Sequence, residues 1–93
     1  MNQLAETIIN HVADKLNVEP EAILTPSRSK VLAPIRCICI HEIKANTGLS
    51  HIKIAKIFGC NSHCMITNRL QVYDSLLFTS SSFKKMVRIS KFN

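Results

Sequence analysis

Residues Ser50 to Leu70, SHIKIAKIFGCNSHCMITNRL, constrain the fold of this chain more than any other stretch. The run reads as two helices joined by a tight turn. Ser50 is placed to cap the first helix, because its hydroxyl can accept from an orphan backbone N–H at the helix start. Ile52, Ala55, Ile57 and Phe58 fill the following turns with apolar or small side chains. Gly59 supplies the positive φ that ends the helix. Asn61 or Ser62 then caps a second helix, which continues through Met65, Ile66 and Leu70. Ala55, four residues before Gly59, is small enough to let two helices cross closely. This is the layout of a helix-turn-helix, whose second helix enters a DNA major groove leading with its N-terminal residues. Here those residues are Asn61, Ser62, His63, Cys64 and Met65.

With 93 residues, of which 46% are apolar, the sequence implies one domain, residues 1–93, with a single modest core of helices. No apolar run approaches the roughly 20 residues that span a bilayer. The opening MNQLAETI lacks the basic-then-apolar layout of a secretory signal. A cytoplasmic location without a membrane partner is therefore expected. Charge is unevenly spread. Residues 1–22 carry one Lys against four acids, whereas residues 23–93 carry eleven Lys or Arg against Glu42 and Asp74. A basic remainder that coincides with the two-helix motif points to a polyanionic partner, and to nucleic acid first.

The four cysteines do not read as a disulfide framework, since nothing marks a secreted chain. No CxxC pair is present, and a zinc site needs convergent ligands. We expect buried small apolar thiols, no metal and no cofactor. Enzymatic activity is not expected either. The acids and histidines form no paired-carboxylate or nucleophile–base spacing, and His63 and Cys64, as helix neighbours, point about 100° apart.

The remaining segments complete an all-α reading. Residues Asn2 to Asn17 form an amphipathic helix with Leu4, Ile8, Val12 and Leu16 recurring every four residues and Ile9 beside them. Val18 to Leu24 is a short helix, with Pro20 suited to its first turn and Glu19 and Glu21 to its positive end. Thr25 to Lys30, TPSRSK, is a basic loop whose Arg28 and Lys30 are candidates for phosphate or minor-groove contact. Val31 to Asn46 contains CICIHEI, whose β-branched residues also suit a strand. Its length and Gly48 just past its end favour a helix, with Leu32, Ile35, Cys39 and Ile43 as its apolar stripe. The second helix of the central motif extends to about Phe78, using Leu70, Tyr73, Leu76 and Leu77, with Tyr73 as a packed ring. Thr79 to Ser82 is a polar break. Phe83 to Ile89 forms a last helix with Phe83, Val87 and either Met86 or Ile89 turned inward. Its Lys84, Lys85, Arg88 and Lys91 are either phosphate contacts or a solvated surface. The expected architecture is a compact bundle of five to six helices containing a helix-turn-helix.

These elements, in this order, resemble the C-terminal DNA-binding domain of the DnaA replication initiator, a helical domain grouped with the Trp repressor. The resemblance runs over roughly residues 5 to 90. It rests on the basic loop SRSK (27–30), on Pro34-Ile35-Arg36 at the head of a long helix, and on the helix end IAKIFG (54–59). Where the family carries GGRDHTTV, this chain reads GCNSHCMI (59–66). The resemblance implies that Arg28 or Lys30 enters the minor groove. It also implies that Ser62, His63, Cys64 and Met65 face bases in the major groove. Of that base-reading run only His63 is retained. An acid that can accept from cytosine N4 is replaced by Ser62, and threonines whose methyls can touch thymine are replaced by Cys64 and Met65. The nucleotide-binding GxxxxGK[ST] of full initiators occurs nowhere in the sequence.

The expected function is that of a stand-alone protein binding double-stranded DNA, in replication initiation or its control or in transcription regulation. Arg28, Lys30, Arg36, Lys53, Lys56 and Arg69 would hold the backbone, and Asn61, Ser62, His63 and Cys64 would line the groove. A rival reading is a protein-interaction module that keeps the scaffold and has lost base readout. A replication or transcription protein would then be the partner. The family kinship allows a monomer or a homodimer.

Overall fold

Six α-helices and no strand make up the regular structure of the described residues. In chain order they are α1 (Gln3–Lys15), α2 (Pro20–Leu24), α3 (Leu32–Thr47), α4 (His51–Ile57), α5 (His63–Thr79) and α6 (Ser81–Ser90). The structure is a computed structural model and describes residues 3–24, 32–59 and 62–92. The basic loop with Arg28 and Lys30, and also Cys60 and Asn61, lie outside the described residues. No helix of the described residues is long and apolar enough to cross a membrane.

Helix α3 is the axis of the bundle. It packs on α1 and α5, and more lightly on α2 and α4. Ile35, Cys37, Ile38, Cys39, Ile40 and Ile43 are all buried, so α3 is covered nearly all round. A helix enclosed on every side has no polar face to alternate with its apolar one. That is why its sequence also resembled a strand, and why the single stripe read there was too narrow. The thiols of Cys37 and Cys39, two residues apart, point to different sides and are both buried. Thr47 closes the helix by donating to the Ile43 carbonyl at 2.6 Å and accepting from the Leu49 amide at 3.2 Å. Gly48 follows at φ 68°, the left-handed residue that the sequence placed past this end.

Helix α1 buries Ala5, Ile8, Ile9, Val12 and Ala13. Leu4, expected in the stripe, is 40% exposed, and Ala5 takes its place because the face turns by one residue at the frayed first turn. Asn17 at φ 57° ends this helix without a glycine, as an asparagine can. Short α2 is tied to α3 by Arg36, whose guanidinium donates to the carbonyls of Ile23 at 2.9 Å and Ala22 at 3.2 Å. Those carbonyls belong to the last turn of α2, where backbone acceptors lack partners within the helix itself.

At the other end an aromatic ladder joins α3, α5 and α6. His41 stacks on Tyr73, with ring centroids 3.9 Å apart and 6° between planes, and Tyr73 meets the Phe83 ring edge-on at 5.4 Å. Tyr73 is buried, as a packed ring should be. In α6 the inward side chains are Phe83, Met86 and Val87, while Ile89 is 56% exposed, which decides between Met86 and Ile89. Glu42 of α3 is buried and accepts from the Asn46 side chain at 3.3 Å and from the Phe92 amide at 3.4 Å. His11 of α1 donates to the Lys91 carbonyl at 3.0 Å and meets the Phe92 ring edge-on. The C-terminal residues are thus fastened to α1 and α3 by two polar contacts that the sequence did not reveal.

Candidate nucleic-acid interface

Helices α4 and α5 pack against each other as the two limbs of the expected helix-turn-helix. Ser50 caps α4, its hydroxyl accepting from the Lys53 amide at 3.3 Å. Ile54 and Ala55 are wholly buried, so α4 turns its small residue to the core. Ile52 is 46% exposed, and Ile54 is the core isoleucine of this helix. Position 52 lies in the first turn beyond a cap that faces solvent, two residues and about 200° round the helix from position 54. Phe58 and Gly59 end α4 through amides that bond back to Ala55 and Lys56, with Gly59 at φ 72°. No atom crowds the place a Cβ would take on Gly59, so its backbone angle alone selects glycine.

Helix α5 opens at His63, with Ser62 as N-cap residue by its extended backbone. The Ser62 side chain makes no capping hydrogen bond, so its cap role is one of backbone only. Ser62, His63 and Cys64 are all exposed at this leading end, and the Cys64 Sγ lies 3.9 Å from the His63 Nε2. Ile66 is buried and Met65 half-buried against the core, so Met65 is an anchor rather than a groove contact. Going up the same side, Thr67, Asn68 and Gln71 are exposed as well. These three escaped the sequence reading, which stopped at the signature residues. The signal was available in the helical spacing, since 67, 68 and 71 follow 63 and 64 by three, four or seven residues.

The cations divide into two groups. Lys53 and Lys56 are exposed on α4, three residues apart and so on one side of it. Arg69 is half-buried on α5. It is close enough to α3 that its charge lowers the pKa of Arg36, although burial is the larger cause. Burial likewise raises the Cys37 thiol, against the opposing pull of Arg69. Arg36 is spoken for inside the fold by the α2 carbonyls, so the sequence expectation of a phosphate contact meets a structural role there. Among the described residues no group of three His, Cys, Asp or Glu could hold a metal ion.

Comparison with known proteins identifies the family. A model of the family described as the bacterial dnaA protein helix-turn-helix matches residues 5–72. The chromosomal replication initiator protein DnaA of Campylobacter fetus is 29% identical over 82 residues, which cover 88% of this chain and 19% of that protein. The protein of the same name from Aliarcobacter butzleri is 31% identical over 80 residues, covering 86% and 18%. That of Wolinella succinogenes is 29% identical over 86 residues, covering 92% and 20%. The chain therefore spans about a fifth of the length of the curated relatives it matches. With the family model covering α4, the start of α5 and most of the core, this chain belongs to the bacterial dnaA protein helix-turn-helix family.

Proposed function

We propose that this chain binds double-stranded DNA with the leading end of α5 in the major groove, and that it serves the initiation of chromosome replication or its control. The observation that carries the reading is the exposed run Ser62, His63, Cys64, Thr67 and Asn68 on α5, with Lys53 and Lys56 exposed on α4, the helix packed against it. His63 offers a ring nitrogen and Asn68 an amide that can pair with adenine N6 and N7. Lys53, Lys56 and Arg69 hold phosphates, joined by Arg28 and Lys30 of the basic loop. We assign Arg36 to the support of α2. The relatives' name speaks for a chromosomal target, which would place the chain in the cytoplasm.

In this proposal residues 1–93 suffice to bind duplex. Selection of bound duplexes from a random pool by this chain alone, at two salt concentrations, tests it. Five neutralised phosphates give a log–log salt slope of about −4.5. An affinity that hardly changes with salt, or no enrichment of any sequence, would count against the reading.

A second reading keeps the fold and gives up base recognition, with a replication protein as partner. The replacement of the signature acid and threonines by Ser62, Cys64 and Met65 favours it. Absence of duplex binding at low salt, together with capture of a replication protein, would establish this reading in place of the first.

A further inference from the structure

We propose that Thr67 contacts the C5-methyl group of a thymine, and that His51 is the positioning residue that turns Thr67 to do so. The inference rests on the duplex-DNA reading above and names one base within it. Thr67 is exposed, one turn beyond His63 on the same side of α5. Its hydroxyl is engaged within the protein. Oγ1 donates to the His63 carbonyl at 3.3 Å and lies 3.1 Å from Nδ1 of His51. Since the single hydroxyl proton is given to the carbonyl, the histidine Nδ1 carries a proton and donates.

A threonine in a helix divides between two rotamers, one of which returns its hydroxyl to the carbonyl four residues back. The bond from His51 selects that rotamer. His51 is itself the first residue of α4, next to the Ser50 cap, so the donor sits on a fixed backbone. With Oγ1 engaged by two protein groups, the Cγ2 methyl is the group left for an incoming duplex. Among the bases only thymine presents a methyl in the major groove, and apolar contact is how that methyl is read. Docking also removes water from the exposed His51–Thr67 pair, which strengthens the bond that holds the rotamer.

The test uses the full 93-residue chain and a duplex recovered from the random pool. Each thymine is replaced in turn by deoxyuridine, which removes the methyl and nothing else. One position should lose affinity by about threefold to fivefold, the worth of one buried methyl. Thr67→Ser keeps the hydroxyl and lacks the methyl, so in this variant the same replacement should change nothing. Thr67→Val should keep the loss. His51→Leu should shrink it, and His51→Asn, which puts an amide N–H where Nδ1–H stood, should restore it. A flat deoxyuridine scan, or a loss that persists undiminished in Thr67→Ser, overturns the proposal while leaving duplex binding intact. Failure of the unaltered chain to bind any duplex overturns the DNA reading and this contact with it. Without DNA, long-range nitrogen–proton NMR of His51 should show the proton on Nδ1. An unprotonated Nδ1 would reverse the hydrogen-bond chain and remove its basis.

Discussion

A thiol's chemistry follows its surroundings, and the described cysteines span the range. Cys64 is exposed at the leading end of α5, whereas Cys37 and Cys39 are buried in α3. The thiolate is the reactive form. Burial, then the charge of Glu42, then Cys37 push the Cys39 thiol up to about 12 from an ordinary 9.0. Iodoacetamide under native conditions should therefore label Cys64 and spare Cys37 and Cys39, as peptide mass mapping can show. The same shift links stability to pH. Well below pH 9 both folded and unfolded chains hold the Cys39 proton, and this thiol adds no pH dependence. Between 9.0 and about 12 the unfolded chain releases the proton that the folded chain keeps. Stability then falls as pH rises, by up to about 1.4 kcal/mol per unit for one such group. Cys37 and Tyr73 are raised too, chiefly by burial, and act in the same direction. Urea midpoints should hold steady to pH 8 and drop above 9. Cys39→Ala should be less stable throughout but show a shallower drop, so the slope rather than the level is the measure.

At the scale of elements, the two serines that begin α4 and α5 play unequal parts. Ser50 accepts from an orphan amide, and Ser62 makes no such bond. Ser50→Ala should cost about 1 kcal/mol, and Ser62→Ala less than half as much, by urea unfolding at neutral pH. Arg36→Met should cost about 1–2 kcal/mol by leaving the last carbonyls of α2 without their donor. Amides of α2 should then lose hydrogen-exchange protection before those of α3. What could be read in advance follows from the same physics. Ser50, Gly48 and Gly59 were legible because caps and positive-φ residues act locally and leave a local mark. The face of α1 came out one residue off at Leu4. It lies in a first turn, where burial depends on which neighbour arrives rather than on spacing. The long-range ties of Arg36 to α2, of Glu42 to Phe92 and of His51 to Thr67 join residues 13 to 50 apart. No periodicity encodes such pairs, so only the folded chain discloses them.

Over the whole molecule, charge and architecture divide together. Acids gather in α1, α2 and the turn between them, with Glu6, Asp14, Glu19 and Glu21 outnumbering Lys15. Cations outnumber acids in α3, α4 and α6. A charge distribution this uneven orients a molecule in the field of a polyanion before any contact forms. It does not follow that every cation touches phosphate. Helix α6 bears exposed Lys84, Lys85 and Arg88, but its main neighbours are α5 and α1 rather than α4. Lys53 and Lys56 sit on α4, which packs directly against the helix proposed to enter the groove. Each phosphate contact adds about 0.9 to the magnitude of the log–log salt slope. Lys53→Gln with Lys56→Gln should therefore lower that magnitude by about 1.8, because the counterions those two lysines displace are no longer released. Lys84→Gln with Lys85→Gln removes the same net charge from α6. It should weaken binding slightly at low salt, through the general field, and leave the slope unchanged. Fluorescence-anisotropy titrations across a salt series separate the two effects. Equal changes of slope for both pairs would mean that the duplex wraps onto α6, and the interface would then extend along the full length of α5 rather than its leading end.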